Sequence, residues 1–576
     1  MNIPFEEVVC CDSEFYGREG NRPTVVCLVA KELRSGREFR LWQDQLPSKP
    51  PYRIDSQTLF VAHYAAAEMC CHLALGWDLP VNILDTYAEF RCLTNCSAEQ
   101  QPHAGLLHAL EHFKLDSISM QTKAHWRDVV LRGPPWSAEE QVGTVDYCET
   151  DTDGLEKLLP VLPVTNWAQT LLRGNYAKAE AWMRHRGIPI DYPMATSFAA
   201  RWRDLRASLI TDLNTRYPFF EGAVFKKRLL EQWAADNGIR YWPRTPTGQL
   251  CTDAETLRAM AQRCPQAAEF CHSKMTLDQL KTFELAIGDD SRNRCMLSAY
   301  RSKTSRNQPS NSAFVFGLNA AFRSLIKPEQ GRAFAVLDFG GQEFSIAAHF
   351  SGDRNMIAAY ESGDPYSDWA RRAGYMPADG DKYSHPLIRA VFKRASLGIL
   401  YGMGAKTLSE YVGISELAAR ALLRSHRETF PRFWRWSAAV QDAGIAQGEL
   451  TSVFGWKMQV LRNARSGTLA NFPMQSAGAD MLRLACVMAV DRDVPICAPI
   501  HDAIAVEAAS TEIVDVVRDM AHCMVEASRA VLGGPAIRID PKILLFPDRY
   551  VDGRDGSTEL WATVTRLLQR LQEQAA

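Results

Sequence analysis

No apolar run in the 576-residue sequence approaches the length needed to span a bilayer, so no membrane partner is expected. The chain also lacks a charge imbalance: 65 Lys and Arg against 67 Asp and Glu leave a formal net charge of -2, which neither requires nor excludes a polyanionic partner. There is no CxxC pair and no Cys/His spacing of the kind that holds zinc, although cysteine itself is plentiful. The fifteen cysteines are scattered. Several, among them Cys10, Cys11, Cys70 and Cys486, lie in apolar runs, as reduced, buried thiols of a cytoplasmic protein would. The stretch Met1–Asp12 has no basic segment followed by a long apolar one, so export is not signalled. No low-complexity tract and no internal repeat interrupts a composition that is 46% hydrophobic and 23% charged. These absences leave an ordinary globular chain, long enough for several domains.

The most informative stretch is Arg332–Phe350, RAFAVLDFGGQEFSIAAHF. Ala333–Leu337 reads as a buried strand that delivers Asp338 at its end; Gly340 and Gly341 turn the chain, and Glu343 opens a second apolar segment. A carboxylate where such a strand stops lies at a sheet rim, where a divalent metal can bind with water beside it. Taken alone, the same residue is equally well a helix cap. A second run, Pro495–Ile500, ends in His501-Asp502 before a returning strand from Ala503, which puts Asp502 at a hairpin tip. Between these, Arg389, Lys393, Leu397 and Tyr401 recur every fourth residue and share one stripe of a helix. A stripe reading cation, cation, aliphatic, aromatic can grip a triphosphate at one end and stack on a base at the other. Two leading cations make it a poor core face.

In the first 165 residues, Phe5–Cys11 is a strand-like run ending in Asp12-Ser13-Glu14. Residues i and i+2 of a strand face the same side, so Asp12 and Glu14 can point at one metal. Thr58–Ala62 ends in His63, and Tyr64–Leu75 reads as a helix with Glu68 on its early part. Tyr147 and Asp151, at i and i+4, share a helix face. Asp-x-Glu is common on surfaces, but joined to Tyr-x-x-x-Asp at this distance it is far more specific. The constellation resembles the DEDDy 3′–5′ exonucleases of proofreading DNA polymerases. That resemblance implies Asp12, Glu14, Glu68 and Asp151 as ligands of two divalent ions, with Tyr147 orienting the attacking water. It departs at one place: the family's His-Asn-x-x-x-Asp reads His63-Tyr64-Ala-Ala-Ala-Glu68, with one extra methylene to accommodate.

The remainder resembles family A DNA polymerases, with motifs in that family's order. Arg186–Asp191 reads as a helix stop and restart, like the phrase that opens the family's thumb, and Thr245–Asp253 resembles its Thr-Gly-x-x-Ser/Thr-Thr segment. Arg201–Leu230 carries seven Lys and Arg against three acidic residues, a solvated face in the bland view and a phosphate-holding surface if this is a thumb. Tyr300–Asn311 resembles the Thr-Gly-Arg loop, with Ser305 in place of the glycine and Arg306 matching the arginine that reaches the minor groove at the primer end.

Asp338–Glu343 resembles motif A, usually Asp-Tyr-Ser-Gln-Ile-Glu. The match makes Asp338 a metal ligand and Glu343 the residue filling the space a ribose 2′-hydroxyl would need. Gly340, Gly341 and Gln342 replace Ser, Gln and Ile, and so put a polar amide where an aliphatic side chain lines the nascent base pair. Arg389–Gly402 resembles motif B, which assigns Arg389 and Lys393 to the β- and γ-phosphates and Tyr401 to the templating base; Leu397 stands where Phe or Tyr is usual. Asp364-Pro-Tyr366 stands at Asp-Ile-His, leaving Tyr366 to donate to phosphate. Asn471 and Gln475 match residues offered to minor-groove acceptors. His501-Asp502-Ala503 resembles motif C, His-Asp-Glu, with Asp502 the second metal carboxylate, His501 near the primer terminus, and Ala503 in place of the glutamate.

The implied architecture is α/β and multidomain: an RNase H-like exonuclease domain at 1–165, then a right-hand polymerase. Its thumb and connector span 166–299, the palm 300–350 and 441–576, and the fingers 351–440, with no 5′-nuclease domain expected ahead of them. The implied function is template-directed, DNA-dependent DNA polymerisation with 3′–5′ proofreading by two-metal phosphoryl transfer. It calls for primer-template DNA, deoxynucleoside triphosphates, and two Mg2+ at each site, with Mn2+ able to stand in. A monomer in the cytoplasm of a bacterial host cell is expected, because the departures look most like bacteriophage or prophage polymerases and phage DNA replication. One such subgroup copies genomes carrying 2-aminoadenine, and Gly341, Gln342 and Leu397 are where its extra amino group would be accommodated. Two alternatives stand beside this. A catalytically weakened DNA-binding relative is suggested by Glu68, Gly341, Leu397 and Ala503. An RNA polymerase of the same fold is opposed by Glu343 and by the exonuclease pattern.

Overall fold

The structure, a computed structural model, describes residues 3–97, 104–553 and 556–574. A first sheet of five strands has the order β3-β2-β1-β4-β5, made of β1 (Glu7–Tyr16), β2 (Thr24–Glu32), β3 (Arg37–Trp42), β4 (Thr58–Ala62) and β5 (Asn82–Asp85). Central β1 runs antiparallel to β2 and parallel to β4. Its Val8 and Cys10 pack with Leu110, Leu155 and Leu158 on one face, while Val9 and Cys11 pack with Phe60 and Met69 on the other. Cover on both faces is why β1 reads as a continuous apolar run rather than an alternation. All fifteen cysteines are free and most are buried.

Three helices bear on the end of β1: α1 (Ala66–Ala74), α2 (Met120–Arg132) and α3 (Ala138–Leu158). A reciprocal cap opens α3: the Ser137 hydroxyl accepts from the Glu140 N–H, and the Glu140 carboxylate accepts from the Ser137 N–H at 2.8 Å. This fixes where Tyr147 and Asp151 fall. The stop and restart expected at Arg186–Asp191 is present. α4 (Trp167–Arg186) ends there, and Asp191 caps α5 (Tyr192–Arg216) by accepting from the Met194 N–H at 3.1 Å. Ile210, Leu230, Leu257 and Phe270 build a separate helical core downstream.

A second, four-stranded antiparallel sheet has the order β7-β8-β6-β9, made of β6 (Arg332–Phe339), β7 (Ile496–Ile500), β8 (Ala503–Ala509) and β9 (Ile539–Leu545). The helices that surround its open end are α6 (Gln342–Ser351), α7 (Pro386–Leu400), α8 (Ser466–Val490) and α9 (Ile513–Leu532). Leu337, Ile504, Met481 and Met520 share the largest core of the chain. Among the described residues, no helix is long and apolar enough to cross a membrane.

Candidate functional site

Asp338 lies next to the end of β6, and Asp502 completes the two-residue turn between β7 and β8, with His501 at φ 57°. The Phe339 N–H donates to the Asp502 carbonyl at 3.2 Å, which pins the hairpin tip to the end of β6. Asp338 opens onto water, yet it is walled closely enough that lost hydration pushes it up to about 7, with the charges of Asp502 and Asp540 adding to the rise and Lys393 opposing it. A carboxylate whose proton affinity is raised by neighbouring carboxylates belongs to a donor set short of positive charge, and hard oxygen donors suit Mg2+. The residues therefore fit a divalent ion.

A cavity of about 470 Å³ stands over this pair, and Arg389, Lys393, Leu397 and Tyr401 all line it. The four-residue stripe thus faces the two carboxylates. Arg389 Nε lies 3.3 Å from Asp364, whose carboxylate also accepts from the Ser367 hydroxyl at 2.6 Å. The Arg389 guanidinium sits 5.3 Å from the centre of the Tyr366 ring. Burial pushes the Tyr366 phenol up to about 12, so it keeps its proton at neutral pH. Glu343, in the first turn of α6, accepts from the Tyr401 hydroxyl at 3.0 Å and from Arg306 at 3.2 Å. Three distant segments therefore converge on one carboxylate.

The glycines and their neighbours hold two departures from expectation. Gly341 has φ 67°, which explains its glycine, and a Cβ on Gly340 would lie 2.7 Å from Asp540 and 3.1 Å from Arg538. Gln342, expected to line the nascent base pair, lines the cavity, and its side chain reaches back against α8, with the amide nitrogen 3.4 Å from the Gly478 carbonyl and in contact with Met481. A close helix approach at Gly478 takes up the amide. At the far end of α7, Gly402 lies against Gly467, and a Cβ on Gly402 would be 2.7 Å from the Gly467 Cα.

Arg306, Gln475 and His501 line a groove of about 880 Å³ together with Arg301, Ser302 and Asn307. His501 also lines a third cavity, of about 1160 Å³, with Arg216 and Arg258. All three cavities thus adjoin at His501. Asn471 does not line the groove; it is one turn before Gln475, with its Oδ1 buried and unpartnered. Ser305 holds the left-handed conformation (φ 65°) of the glycine it replaces, with its carbonyl bound by Arg483 at 2.9 Å.

At the first sheet, ligand oxygens of Asp12, Glu14 and Asp151 lie within 4.8 Å of one another. Burial first, then Asp151, pushes Asp12 up to about 7, and burial with Asp12 and Asp151 holds Glu14 well above the usual carboxylate range. Tyr147 is buried one turn before Asp151 and stays protonated, chiefly through burial. The expected fourth ligand, Glu68, is not in this group. It sits deeper in the first turn of α1, buried, with Oε2 lacking a partner, and the Asp12 charge reinforces burial in raising it. An orphaned carboxylate oxygen close to Asp12 and Glu14 is a donor that fits a divalent cation.

Sequence reasoning missed the counter-charge. Lys123 on α2 pairs with Asp151 and lies 5.7 Å from the Tyr147 ring centre, and Arg127, one turn on, acts on Glu14. Helix α2 carried only the signal of a charged amphipathic face. Asp540 and Arg538 were missed because β9 reaches Asp338 only through sheet pairing, across nearly 200 residues of chain.

The described residues thus form a five-stranded α/β domain followed by an antiparallel sheet ringed by helices, with a carboxylate pair facing a cationic helix stripe. Residues 306–537 match the family model of DNA polymerase family A. The DNA polymerase of Mycobacterium phage L5 is 24% identical over 455 residues, covering 75% of this chain and 70% of that protein. The thermostable DNA polymerase I of Thermus aquaticus is 28% identical over 180 residues, 30% of this chain and only 21% of the relative. The fold is similar to the solved POL domain of Pol1 from M. smegmatis, in complex with DNA primer-template and dNTP. Their TM-score is 0.68 at 17% identity, over 93% of this chain and 94% of that one.

Proposed function

We propose that the chain is a DNA-dependent DNA polymerase, acting through the Asp338–Asp502 site, with a 3′–5′ exonuclease at the first sheet. The observation that carries the reading is one cavity in which Asp338 and Asp502 face Arg389, Lys393 and Tyr401. The phage relative and the solved polymerase domain support it, as does the family match over 306–537. In this reading the second sheet is the palm, α7 belongs to the fingers, and residues 166–299 form the thumb and connector.

Asp338 and Asp502 would hold two Mg2+ at the sheet rim. When bound, such ions lower the proton affinity of the primer 3′-hydroxyl and offset charge on the leaving pyrophosphate. Arg389 and Lys393 meet the triphosphate, with Arg389 exchanging Asp364 for phosphate oxygens. Glu343, fixed by Tyr401 and Arg306, blocks the space of a 2′-hydroxyl, which would have to break both bonds to enter. Arg306, Gln475 and His501 contact the primer-template in the groove beside the cavity. In the exonuclease, Asp12, Glu14 and Asp151 are the metal ligands, Glu68 joins them by a side-chain rotation, and Tyr147 donates to the attacking water.

Use of 2-aminoadenine in phage replication is the finer part of the proposal. Gly341 and Leu397 support it, both lining the cavity with less side chain than the family pattern offers. Incorporation and excision of adenine and 2-aminoadenine opposite thymine test it, and equal handling in both removes it. The polymerase reading is tested by primer extension with Mg2+ and either deoxy- or ribonucleotides. Extension with deoxynucleotides is expected, and its absence in the wild type would return the chain to a DNA-binding relative.

A further inference from the structure

Central strand β6 presents Asp338 between two cross-strand neighbours. On one side Asp338 is paired with Ala503 of β8, and on the other with Asp540 of β9. Residues directly opposite in antiparallel strands share a face, with Cβ atoms about 5 Å apart. The carboxylate that motif C would supply on the β8 flank is absent, and one stands on the β9 flank instead.

Four further observations bear on Asp540. It lines the same cavity as Asp338, Asp502 and Lys393. Arg538 holds its carboxylate from the side, with Nε 3.0 Å from Oδ1. Arg538 is itself tied down: its N–H donates to the Tyr360 hydroxyl at 3.0 Å, that hydroxyl donates to the Gly340 carbonyl at 2.9 Å, and Nη1 donates to the Gly363 carbonyl at 3.2 Å. Finally, Gly340, where the family pattern has serine, is the residue whose Cβ would strike Asp540 at 2.7 Å. Loss of the serine side chain is what gives Asp540 and Arg538 room beside Asp338. Two departures, Ala503 and Gly340, therefore interlock with the Arg538–Asp540 pair.

We propose that Asp540 is the third carboxylate of the nucleotidyl-transfer site, a positioning residue that strengthens divalent-ion binding from the β9 flank in place of an acid at 503. Arg538 sets its direction, and Gly340 admits it. Through Asp338, Asp540 adds negative charge where the ions sit without displacing Asp502. The inference rests on the polymerase reading above and has its own points of failure.

The test measures Mn2+ binding without turnover, by electron paramagnetic resonance on the full chain with a dideoxy-terminated primer-template and a deoxynucleoside triphosphate. It is paired with Mg2+ titration of extension on an ordinary primer. Asp540→Asn is expected to weaken ion binding about tenfold, the scale of groups that orient metal ligands. It should also raise the Mg2+ needed for half-maximal extension by a similar factor. Adding Ala503→Glu to Asp540→Asn restores both, because the second carboxylate then stands on the other flank of Asp338. Gly340→Ser reproduces Asp540→Asn by displacing the pair. Unchanged ion binding in Asp540→Asn, or a defect that Ala503→Glu leaves untouched, overturns the inference. If the wild type binds the primer-template but does not extend it, the polymerase reading fails instead. A merely structural role for Asp540 would lower the melting temperature of the single variant and show no rescue.

Discussion

The two acidic sites answer the same electrostatic problem in different ways. At the first sheet, three carboxylates crowd together, a fourth is buried nearby, and the opposing cations Lys123 and Arg127 come from the adjacent helix of the same domain. At the second sheet, the carboxylates stand on an open rim; Arg538 holds Asp540 from the side, but Lys393, which opposes Asp338, rides on α7 across a cavity. Counter-charge that is packed in place must be displaced by an incoming ion. Counter-charge carried on a separate helix can arrive with the substrate. Under the proposed function, a site that cuts whatever strand reaches it could keep its cation resident, whereas a site that must select its substrate would gain by making the cation part of the selection.

The strongest test of that contrast is separability. Asp338→Asn is expected to lower primer extension by about 10³-fold or more, on the scale of removed electrostatic stabilisers. Excision of single-stranded DNA should be left intact, with Asp12→Asn giving the mirror image. Loss of both activities in either variant would break the comparison. Proton competition comes next. Asp338 and Asp12 are each held at about 7, so each must release a proton before binding an ion. Ion affinity at the rim should fall about tenfold per pH unit below 7, and nearer a hundredfold at the first sheet, where Glu14 must ionise as well. Calorimetry in buffers of different ionisation heat reads the released protons directly.

Smaller effects sharpen the picture. Lys123→Met removes a resident competitor, so Mn2+ should bind the first sheet about fivefold more tightly, equivalent to the ~1 kcal/mol of a partly screened pair. Tighter binding at the second sheet instead would contradict the assignment. Last is stability without metal. Glu14 is held well above the ordinary carboxylate value of about 4.3, so the folded form resists ionisation that the unfolded form accepts. The resulting destabilisation is absent below about pH 4, where both forms are protonated, and grows as pH rises toward the folded value. Glu14→Gln should therefore melt about 2 °C higher than the wild type at pH 7 and at the same temperature at pH 4, by differential scanning calorimetry.

Much of this was legible in the sequence, because its signals were local. Asp-x-Glu on a strand, Tyr and Asp one helical turn apart, and the 389–401 stripe each need only the period of one element, and each lines or forms a site. Gln342 lines the cavity, but the direction its amide takes depends on how closely α8 approaches at Gly478, which no pattern within α6 encodes. Asp540 was invisible because strand pairing, not spacing, brings it to Asp338. Ser305 shows a third case: it stands in place of the family's glycine, yet the backbone keeps the left-handed conformation, at a cost of about 1 kcal/mol offset by the Arg483 contacts.

The back-to-back glycines at 402 and 467 set a mechanical ratio for the molecule. From Gly402 to Arg389 the helix is a rigid arm of roughly 20 Å, so a turn of about 15° at that fulcrum sweeps the guanidinium through roughly 5 Å while Tyr401 barely moves. Such a turn would draw Arg389 away from Asp364, 3.3 Å from it here, and leave the hydroxyl of Tyr401 on Glu343. Under the proposed function, phosphate capture would then have long travel and sugar inspection almost none. A methyl group at either glycine would jam the fulcrum while leaving every side chain of the site in place.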